Sequence, residues 1–313
     1  MDVLDLRRLR LLRELSVRGT LSAVAAAAGY TPSAVSQQLD VLAREVGTPL
    51  LTKAGRGVRL TDAGQRLVQH AEVLLSADEA ARADLHQLTR ALGQLRGTVR
   101  AAGLQSAARH LLVPAVAALS VDHPHVEVHL TEAELEQALP GLQLGSLDLC
   151  VCDEYDGQPR PRPAGLRSDV VLREPLRLVL PLSHPLAAND TPVELSSLAD
   201  QPWVSAPSGT GHHQLVLAAC RSRGGFDPTI RHHASDAEVH LDLVRHARAV
   251  TLLPTLSLPH ADPTLAIREI AGPPMHRTLL LITRASAASP AVTAFVAAVR
   301  HAATRPFGEV TSG

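Results

Sequence analysis

Residues 21–39 read LSAVAAAAGYTPSAVSQQL, and this stretch predicts two short helices joined by a tight turn. The first helix is a run of small apolar residues, which Gly29 and Tyr30 interrupt. Thr31 is suited to cap the second helix, and Pro32 to occupy its first position, where a missing N–H costs nothing. The small side chains of the first helix would allow the second to approach it closely.

The exposed face of the second helix carries short polar side chains, as in helices that read base edges in the major groove of DNA. Glutamine can contact adenine with both ends of its amide, and serine can reach bases or phosphates. The alternative is an ordinary solvated helix surface. The candidate DNA contacts on this helix are Thr31, Ser33, Ala34, Ser36, Gln37 and Gln38.

Residues 50–61 contain two short strand-like runs around a glycine-rich basic tip, which predicts a two-stranded wing. Lys53, Arg56 and Arg59 are placed there for contacts with backbone phosphates. Residues 1–60 hold nine basic against five acidic side chains, whereas the whole chain has a formal net charge of −1. A basic N-terminal head on an acidic body suggests a separate anion-binding module, with random variation on a solvated surface as the alternative. The helix and wing patterns make double-stranded DNA the expected partner of this module.

Apolar residues recur at alternating spacings of four and three downstream of Thr61, which predicts a helix with the 3.5-residue period of a coiled coil. Packing of this helix against its own body is the alternative, but a sustained 3.5 period favours a partner helix. Gly93 and Gly97 mark its end. We therefore expect a homo-oligomer held together by Leu67, Leu74, Ala81, Leu85, Leu88 and Leu92.

From Thr98 onward predicted strands alternate with predicted helices, and this order argues for a mostly parallel sheet. A buried strand is predicted at 147–152. The helix at 134–144 is expected to be interrupted near Pro140 and Gly141.

The composition excludes several classes of enzyme and of secreted protein. Lys53 is the only lysine, so no phosphate-binding loop of the Gly-Lys-Ser/Thr type exists, and neither HExxH nor GxSxG occurs. We predict no catalytic residue and no cofactor. The N-terminus lacks the pattern of a signal peptide, and no apolar run approaches the ~18 residues that span a bilayer, so we expect a cytoplasmic protein without a membrane partner.

Cysteines and histidines give two weaker signals. Cys150 and Cys152 share one face of a predicted strand, and small buried core residues are favoured over a redox pair. The pairs at 212–213 and 232–233, with His240, could hold a metal ion. Adjacent histidines on a strand point to opposite faces and no carboxylate or thiol completes a site, so no metal is predicted.

Residues 21–39, followed by GTPLL at 47–51 and RLTDAG at 59–64, resemble the LysR-type transcriptional regulator family. The resemblance implies an α+β chain with an N-terminal winged helix-turn-helix, a long linker helix and a two-lobed α/β effector domain similar to the periplasmic-binding-protein fold. The implied function is sequence-specific DNA binding that regulates transcription under the control of a small-molecule effector bound between the lobes. The rival hypothesis is an enzyme or a periplasmic-type binding protein carrying an unrelated head.

The resemblance also implies a division of the chain and a set of effector contacts. The DNA-binding domain would span 1–61, the linker helix 62–96 and the effector domain 97–313, with lobe I at about 97–165 and 265–313 and lobe II at about 166–264. Hydroxyls and free N–H groups at helix starts suit a carboxylate or another anion. The implied effector contacts are Gln105, Ser106, Ser208, Thr210, His212 and Ser235.

We predict that Leu85→Asp or Leu88→Asp separates the oligomer and abolishes tight operator binding. Each substitution places a charge in the apolar seam, and two heads must be held at a fixed half-site spacing. Sedimentation measures the assembly state. A variant that remains a dimer would place the interface outside the linker helix.

Overall fold

The computed structural model describes residues 4–55, 57–88, 95–162, 165–285 and 288–304, with only the backbone described at 76, 79, 80 and 82–88. These residues form an N-terminal head, a linker helix and two lobes, lobe I and lobe II, which share a sheet. Within the described residues, none of the helices is both long enough and apolar enough to cross a membrane.

The head (residues 4–60) is three helices followed by a hairpin. Thr31 caps the third helix, because its hydroxyl oxygen accepts a hydrogen bond from the Ala34 N–H at 3.2 Å, as predicted. Val35, Leu39 and Leu42 of this helix are buried in the core of the head. The elements are α1 (Leu6–Arg18), α2 (Leu21–Ala28), α3 (Pro32–Glu45) and the antiparallel strands β1 (Leu51–Ala54) and β2 (Gly57–Leu60).

The linker helix α4 (Asp62–Leu88) begins as part of the head. Thr61 caps it by accepting a hydrogen bond from the Gly64 N–H at 3.0 Å. Val68 and Ala71 are buried in the core of the head, so the first turns of α4 pack on their own chain.

The predicted oligomer seam is only partly described. Leu67 packs partly buried against the core of the head, Leu74 is 40% exposed and Ala81 is exposed. The side chains of Leu85 and Leu88, and the whole of Leu92, lie outside the described residues.

Lobe I has helices on both faces of its strands. One face is covered by α6 and α10, which pack around Phe295, and the other by α7, which packs over the buried Cys150 and Cys152. Burial raises the pKa of both thiols, so they are inert core side chains. The elements are β3 (Arg96–Gly103), α5 (Gln105–Ala107), a π-helical stretch (Ala108–Leu112), α6 (Val113–Asp122), β4 (His125–Glu132), α7 (Leu135–Leu144) and β5 (Leu149–Tyr155), with β11 (His276–Arg284) and α10 (Pro290–Ala303) returning from the end of the chain.

Lobe II is built on the second half of a long strand, β6. Leu176, Leu178 and Leu180 of β6 face the core that contains α8, whereas Val179 faces the core that contains α9. This alternation follows the two-residue period of a strand that is buried on both faces. The elements are β6 (Leu166–Pro181), β7 (Pro202–Ser205), α8 (Gly211–Ala219), a π-helical stretch (Cys220–Gly224), β8 (Thr229–His233), α9 (Ala237–Ala247), β9 (Thr251–Pro254) and β10 (Leu265–Arg268).

The prediction of a mostly parallel sheet is wrong. In the described residues the main sheet runs β10-β6-β11-β5-β3-β4, with β9 also paired to β6, and only β3 pairs in parallel with its neighbours β4 and β5. The first half of β6 pairs antiparallel with β11, and its second half pairs antiparallel with β9 and β10. Strand β6 runs from lobe I into lobe II and pairs antiparallel with strands of both lobes. Antiparallel pairs therefore outnumber parallel pairs in the main sheet.

The predicted interruption of the helix at 134–144 is also wrong. Pro140 lies inside a continuous α7. Ala138 and Leu142, on either side of it, are buried against the sheet of lobe I, and this packing offsets the hydrogen bond that proline cannot make.

The head touches lobe I directly at the end of α7. The Arg13 side chain on α1 is only 4% exposed, and its Nη2 donates to the carbonyl of Leu144 at 2.7 Å. Leu144 is the last residue of α7, where helix carbonyls lack a partner within the helix. The Arg13 guanidinium of the head therefore supplies a hydrogen-bond donor to a backbone carbonyl at the C-terminus of a helix in lobe I.

Candidate nucleic-acid interface and ligand cleft

The α3 face that was predicted to contact DNA is open to solvent. Thr31, Ser33, Gln37 and Gln38 are exposed, and Ala34 and Ser36 are half-buried. The Thr31 and Ser33 hydroxyl oxygens lie 3.0 Å apart at the start of the helix. The polar groups at the N-terminal end of α3 are thus grouped on one accessible surface.

The two glutamines differ in their freedom. The Arg8 Nε on α1 donates to the Gln38 Oε1 at 3.0 Å, and the same guanidinium also contacts the Glu45 carboxylate. The amide of Gln37 makes no hydrogen bond within the described residues. Gln37 is therefore the glutamine of α3 whose amide is fully available to a base edge.

The wing presents its cations on two faces. Lys53 is paired with Val58 across the hairpin, and Thr52 with Arg59, so Lys53 and Arg59 point to opposite faces of the ribbon. Both are exposed, whereas Arg56 lies outside the described residues. Tyr30, interpreted from the sequence only as a helix break, is 55% exposed beside the start of α3.

A cavity of about 90 Å³ lies between the lobes, lined by residues of both. It brings together five of the six predicted effector contacts, which are Gln105, Ser106, Thr210, His212 and Ser235. The sixth, Ser208, is exposed and does not line it. Thr210 also caps α8 by accepting from the His213 N–H at 3.3 Å.

Gln105 joins the two lobes across this cavity. Its Nε2 donates to the Asp236 Oδ1 at 2.8 Å, and its Oε1 accepts from the Ala237 N–H at 3.4 Å. Asp236 caps α9, and the added hydrogen bond from Gln105 lowers the pKa of its carboxyl group. One side chain of lobe I is thus bonded to the start of a helix in lobe II.

Ser106 contacts a buried ion pair. Its hydroxyl oxygen accepts from the Arg277 Nη2 at 2.9 Å. Nε and Nη2 of Arg277 also donate to the Glu174 Oε1 at 2.9 and 2.6 Å, and the second oxygen of Glu174 accepts from the Leu256 N–H at 2.7 Å. Arg277 is 3% exposed and Glu174 4%.

Two neutral histidines form the lobe II side of the cleft. The His212 Nε2 lies 2.7 Å from the Leu252 carbonyl, to which it must donate, and its Nδ1 accepts from the Ala206 N–H at 3.1 Å. The His240 ring packs edge-on to it, with centroids 5.3 Å apart. Burial and the neighbouring ring of His240 lower the pKa of His212 to about 4. The imidazole is therefore neutral at physiological pH.

Acidic side chains line the opposite side of the cleft. Asp153 is 7% exposed and accepts from the Arg160 Nη2 at 2.8 Å, while the same guanidinium contacts Glu136. Glu134, half-buried before α7, lies near this pair. Burial and the charge of Asp153 raise the pKa of Glu134 to about 7.

Sequence reasoning missed the charged residues of the cleft, namely Glu134, Asp153, Glu174 and Arg277. Arg277 and Glu174 are 103 residues apart in the chain and meet only because β6 and β11 are neighbours. The one sequence signal that could have pointed to these residues was a charged side chain inside an otherwise apolar predicted strand.

For the residues that the structure describes, no group of three or more histidine, cysteine, aspartate or glutamate side chains is arranged to hold a metal ion.

The winged head and the two-lobed body both match known families. Residues 6–65 match the family described as "Bacterial regulatory helix-turn-helix protein, lysR family", and residues 92–304 match "LysR substrate binding domain". The chain belongs to the LysR family of DNA-binding transcriptional regulators.

Characterised relatives of this LysR-family protein are regulators, not enzymes. The transcriptional dual regulator GltC of Bacillus subtilis (strain 168) is 26% identical over 280 residues, which cover 89% of this chain and 90% of the relative. The small neutral protease regulatory protein of Streptomyces coelicolor is 28% identical over 299 residues, covering 92% and 84%. The rival hypothesis of an enzyme with an unrelated head is therefore wrong.

Solved structures share the whole architecture. A full-length variant of OxyR from Pseudomonas aeruginosa superposes with a TM-score of 0.67 at 20% identity, covering 97% of this chain and 95% of that one. Full-length CbnR complexed with its target DNA has a TM-score of 0.56 at 20% identity, covering 95% and 99%. The predicted fold class is thus confirmed.

We predict that His212 lowers the stability of the LysR-family protein as the pH falls from about 6.5 towards 4, against an opposite contribution from Glu134, whose raised pKa adds stability as the pH falls from about 7 to 4.5. The unfolded chain binds a proton at His212 near pH 6.5, the ordinary pKa, whereas the folded chain resists protonation to about pH 4. At 1.36 kcal/mol per pKa unit the loss is at most about 3 kcal/mol, and the partial exposure of the ring reduces it. Urea unfolding at a series of pH values measures it.

A His212→Gln variant should be less stable at pH 7 but show a flatter decline below pH 6.5. His246→Gln, on an exposed turn of α9, is the control and should retain the wild-type slope. An unchanged slope in His212→Gln would rule out His212 as the source of the acid sensitivity.

Proposed function

We propose that this LysR-family regulator reads operator DNA with the N-terminal half of α3. The observation that supports this is the accessible group of Thr31, Ser33, Ser36 and Gln37, presented by a helix whose other face is buried in the head. Side chains of this type can contact base edges. Lys53, Arg56 and Arg59 of the wing would contact phosphates, which give affinity without sequence preference.

The assembly and the division of the chain are also proposals. We retain a homo-oligomer formed through α4, because Val73 and Leu74 are 68% and 40% exposed on its described part. The domains are proposed at 1–61, 62–96 and 97–313. We propose that lobe II begins at Pro175 and not at residue 165, because β6 pairs with β11 up to this residue and with β9 and β10 beyond it. We propose that lobe II ends in the segment between β10 and β11 and not at residue 265, because β10 still pairs with the second half of β6. A DNA partner also favours the cytoplasm as its location.

We predict that Gln37→Ala lowers the discrimination between operator and random DNA, whereas Lys53→Ala weakens binding to both alike. Base contacts carry the sequence information, and each lost phosphate contact reduces the slope of log affinity against log salt by about 1. Fluorescence anisotropy with DNA from upstream of the gene, at several salt concentrations, separates the two effects.

Gln65→Ala, on an exposed position of α4, serves as the control and should match the wild type in both measurements. An equal loss of discrimination from Gln37→Ala and Lys53→Ala would contradict the assignment of base and phosphate contacts.

We further propose that a small-molecule effector binds in the cavity between the lobes and controls DNA binding. The observation that carries this is the position of Ser106 and Arg277 from lobe I opposite His212 and Ser235 from lobe II around one cavity. A ligand that contacts both lobes would change the position of one lobe relative to the other. The hydrogen bond from Gln105 to Asp236 already crosses the gap between the lobes.

We predict that Ser106→Ala reduces the rise in melting temperature that a cleft ligand causes. A ligand that binds only the folded chain stabilises it, and the variant removes a hydroxyl at the cleft wall. Without ligand the variant should lose about 1.5–3 kcal/mol, since it removes one hydrogen bond from the charged, buried Arg277. The measurement is thermal unfolding of the full chain against a library of small acids, amino acids, sugars and nucleosides.

Ser120→Ala is the matched control, because its exposed hydroxyl bonds only to the Val116 carbonyl on α6. A Ser106→Ala protein with the full wild-type response to every active compound would place the ligand site elsewhere.

A further inference from the structure

The charges around the cavity do not form a simple anion site. In the described part of the chain, the residues that line it include two carboxyl groups, Glu134 and Asp153, and a single guanidinium, Arg277. His212, on the lobe II side of the cavity, is neutral. Asp153 is paired with Arg160 and Arg277 with Glu174, so a ligand carrying only negative charge would meet the carboxyl group of Glu134 without a free cation to offset it.

The one guanidinium is already neutralised. Glu174 accepts from two nitrogens of Arg277, and both residues are almost fully withdrawn from water. The pair has little net charge, but it keeps hydrogen-bonding capacity, since Nη1 of Arg277 has no partner among the described residues. A single carboxylate could accept from this nitrogen without a strong net attraction.

Two further features favour a carboxylate at that end of the cavity. Thr210, Gly211 and His212 begin α8 at the cavity wall, and the N-terminus of a helix carries partial positive charge. The Ser106 hydroxyl accepts from Arg277, so its own hydrogen remains available for donation. These groups together can hold one carboxylate.

The Glu134 carboxyl group caps α7 in a capping box with Gln137 and forms no ion pair within the described residues. Arg160 is engaged by Asp153 and Glu136, and Arg277 by Glu174, so the guanidinium groups near Glu134 are committed to other acids. Burial and the charge of Asp153 leave Glu134 about half-protonated at neutral pH, with a pKa of about 7. A ligand ammonium beside Glu134 would favour its ionised form.

The space sets the size of the ligand. The cavity of about 90 Å³ is well below the several hundred Å³ of sites for drug-sized molecules. A cavity of this size favours one compact molecule that occupies both the carboxylate and the ammonium position.

We propose that the effector is a small zwitterion of the α-amino acid class, with its carboxylate at Arg277 and Ser106 and its ammonium at Glu134. This inference rests on the proposed binding of an effector between the lobes and names the chemistry of that ligand. Carboxylates without an amine, and amines without a carboxylate, satisfy only one of these two positions.

The test is a thermal-shift and calorimetric screen of the full chain with the twenty standard amino acids. Each amino acid that binds is compared with the acid of the same skeleton that lacks the amine and with the amine that lacks the carboxylate. We expect at least one amino acid to raise the melting temperature, and both truncated analogues to bind roughly tenfold or more weakly, which corresponds to about 1.4 kcal/mol.

The pH dependence provides a second readout. Because Glu134 must lose its proton to pair with the ammonium, affinity for the amino acid should rise roughly tenfold from pH 6 to pH 8, as a group of pKa about 7 ionises. The groups that face Glu134 are Asp153 and Tyr155 on β5, Glu136 on α7, Arg160 in the following loop and Arg277 on β11.

Two variants locate the effect. Glu134→Gln keeps the shape of the side chain but removes its charge, so it should weaken the amino acid about tenfold, abolish the pH dependence and leave the deaminated acid unaffected. Glu127→Gln, an exposed position on β4, should change none of these quantities.

The outcomes separate the two proposals. If the deaminated acid binds as tightly as the amino acid, or if only other compounds bind and Ser106→Ala weakens them, the zwitterion is wrong and the cleft stands. If no compound binds, or if binding is insensitive to both Ser106→Ala and Glu134→Gln, the cleft proposal fails together with the zwitterion.

Discussion

The buried pair of Glu174 and Arg277 holds the junction of the two lobes. The two residues face each other across β6 and β11, just before β6 leaves lobe I for lobe II. The second oxygen of Glu174 binds the backbone of Leu256, after β9, and Arg277 binds Ser106 on α5. Removing one partner of such a pair leaves an uncompensated buried charge, which typically costs about 3–5 kcal/mol. The walls of the cleft are therefore positioned by a contact that is costly to break.

The proposed DNA-binding surface and the proposed effector cleft use polar groups in opposite ways. On α3 the side chains are solvated and, apart from Gln38 and the capping Thr31, few contacts hold them, so they can adapt to a base sequence. In the cleft Ser106, Asp153, Glu174 and Arg277 are buried and hydrogen-bonded within the chain. Preorganised, desolvated groups give selectivity for small molecules, whereas a DNA surface depends more on accessible donors and long-range charge.

The head could be predicted from sequence because its signals are local. Thr31, Pro32 and the glycines define the ends of helices within a few residues, and the apolar period of α3 identifies its buried face. The sheet could not be predicted in this way. Strand periodicity shows which face is buried but not which strands are neighbours, so β6 gave no sign that it changes partner half-way along.

The same limit applies to the cleft. Gln105, Ser106 and Thr210 follow strands or begin helices, so a comparison with a known family could place them. Glu134, Glu174 and Arg277 matter because of tertiary neighbours far away in the chain, and no local pattern distinguishes them from surface charges. Pro140 shows the converse, since a strong local signal for a helix break was overridden by burial of the residues around it.

Helix α7 has one end at the cleft and the other at the head. Glu134 precedes its first turn, and the carbonyl of Leu144 at its last turn accepts from the buried Arg13 of α1. Its ten residues span about 15 Å. The contacts of α7 thus connect a residue that lines the cavity with the carbonyl that Arg13 of the head binds. One helix therefore contacts both the proposed effector cavity and the head that carries the proposed DNA-binding surface.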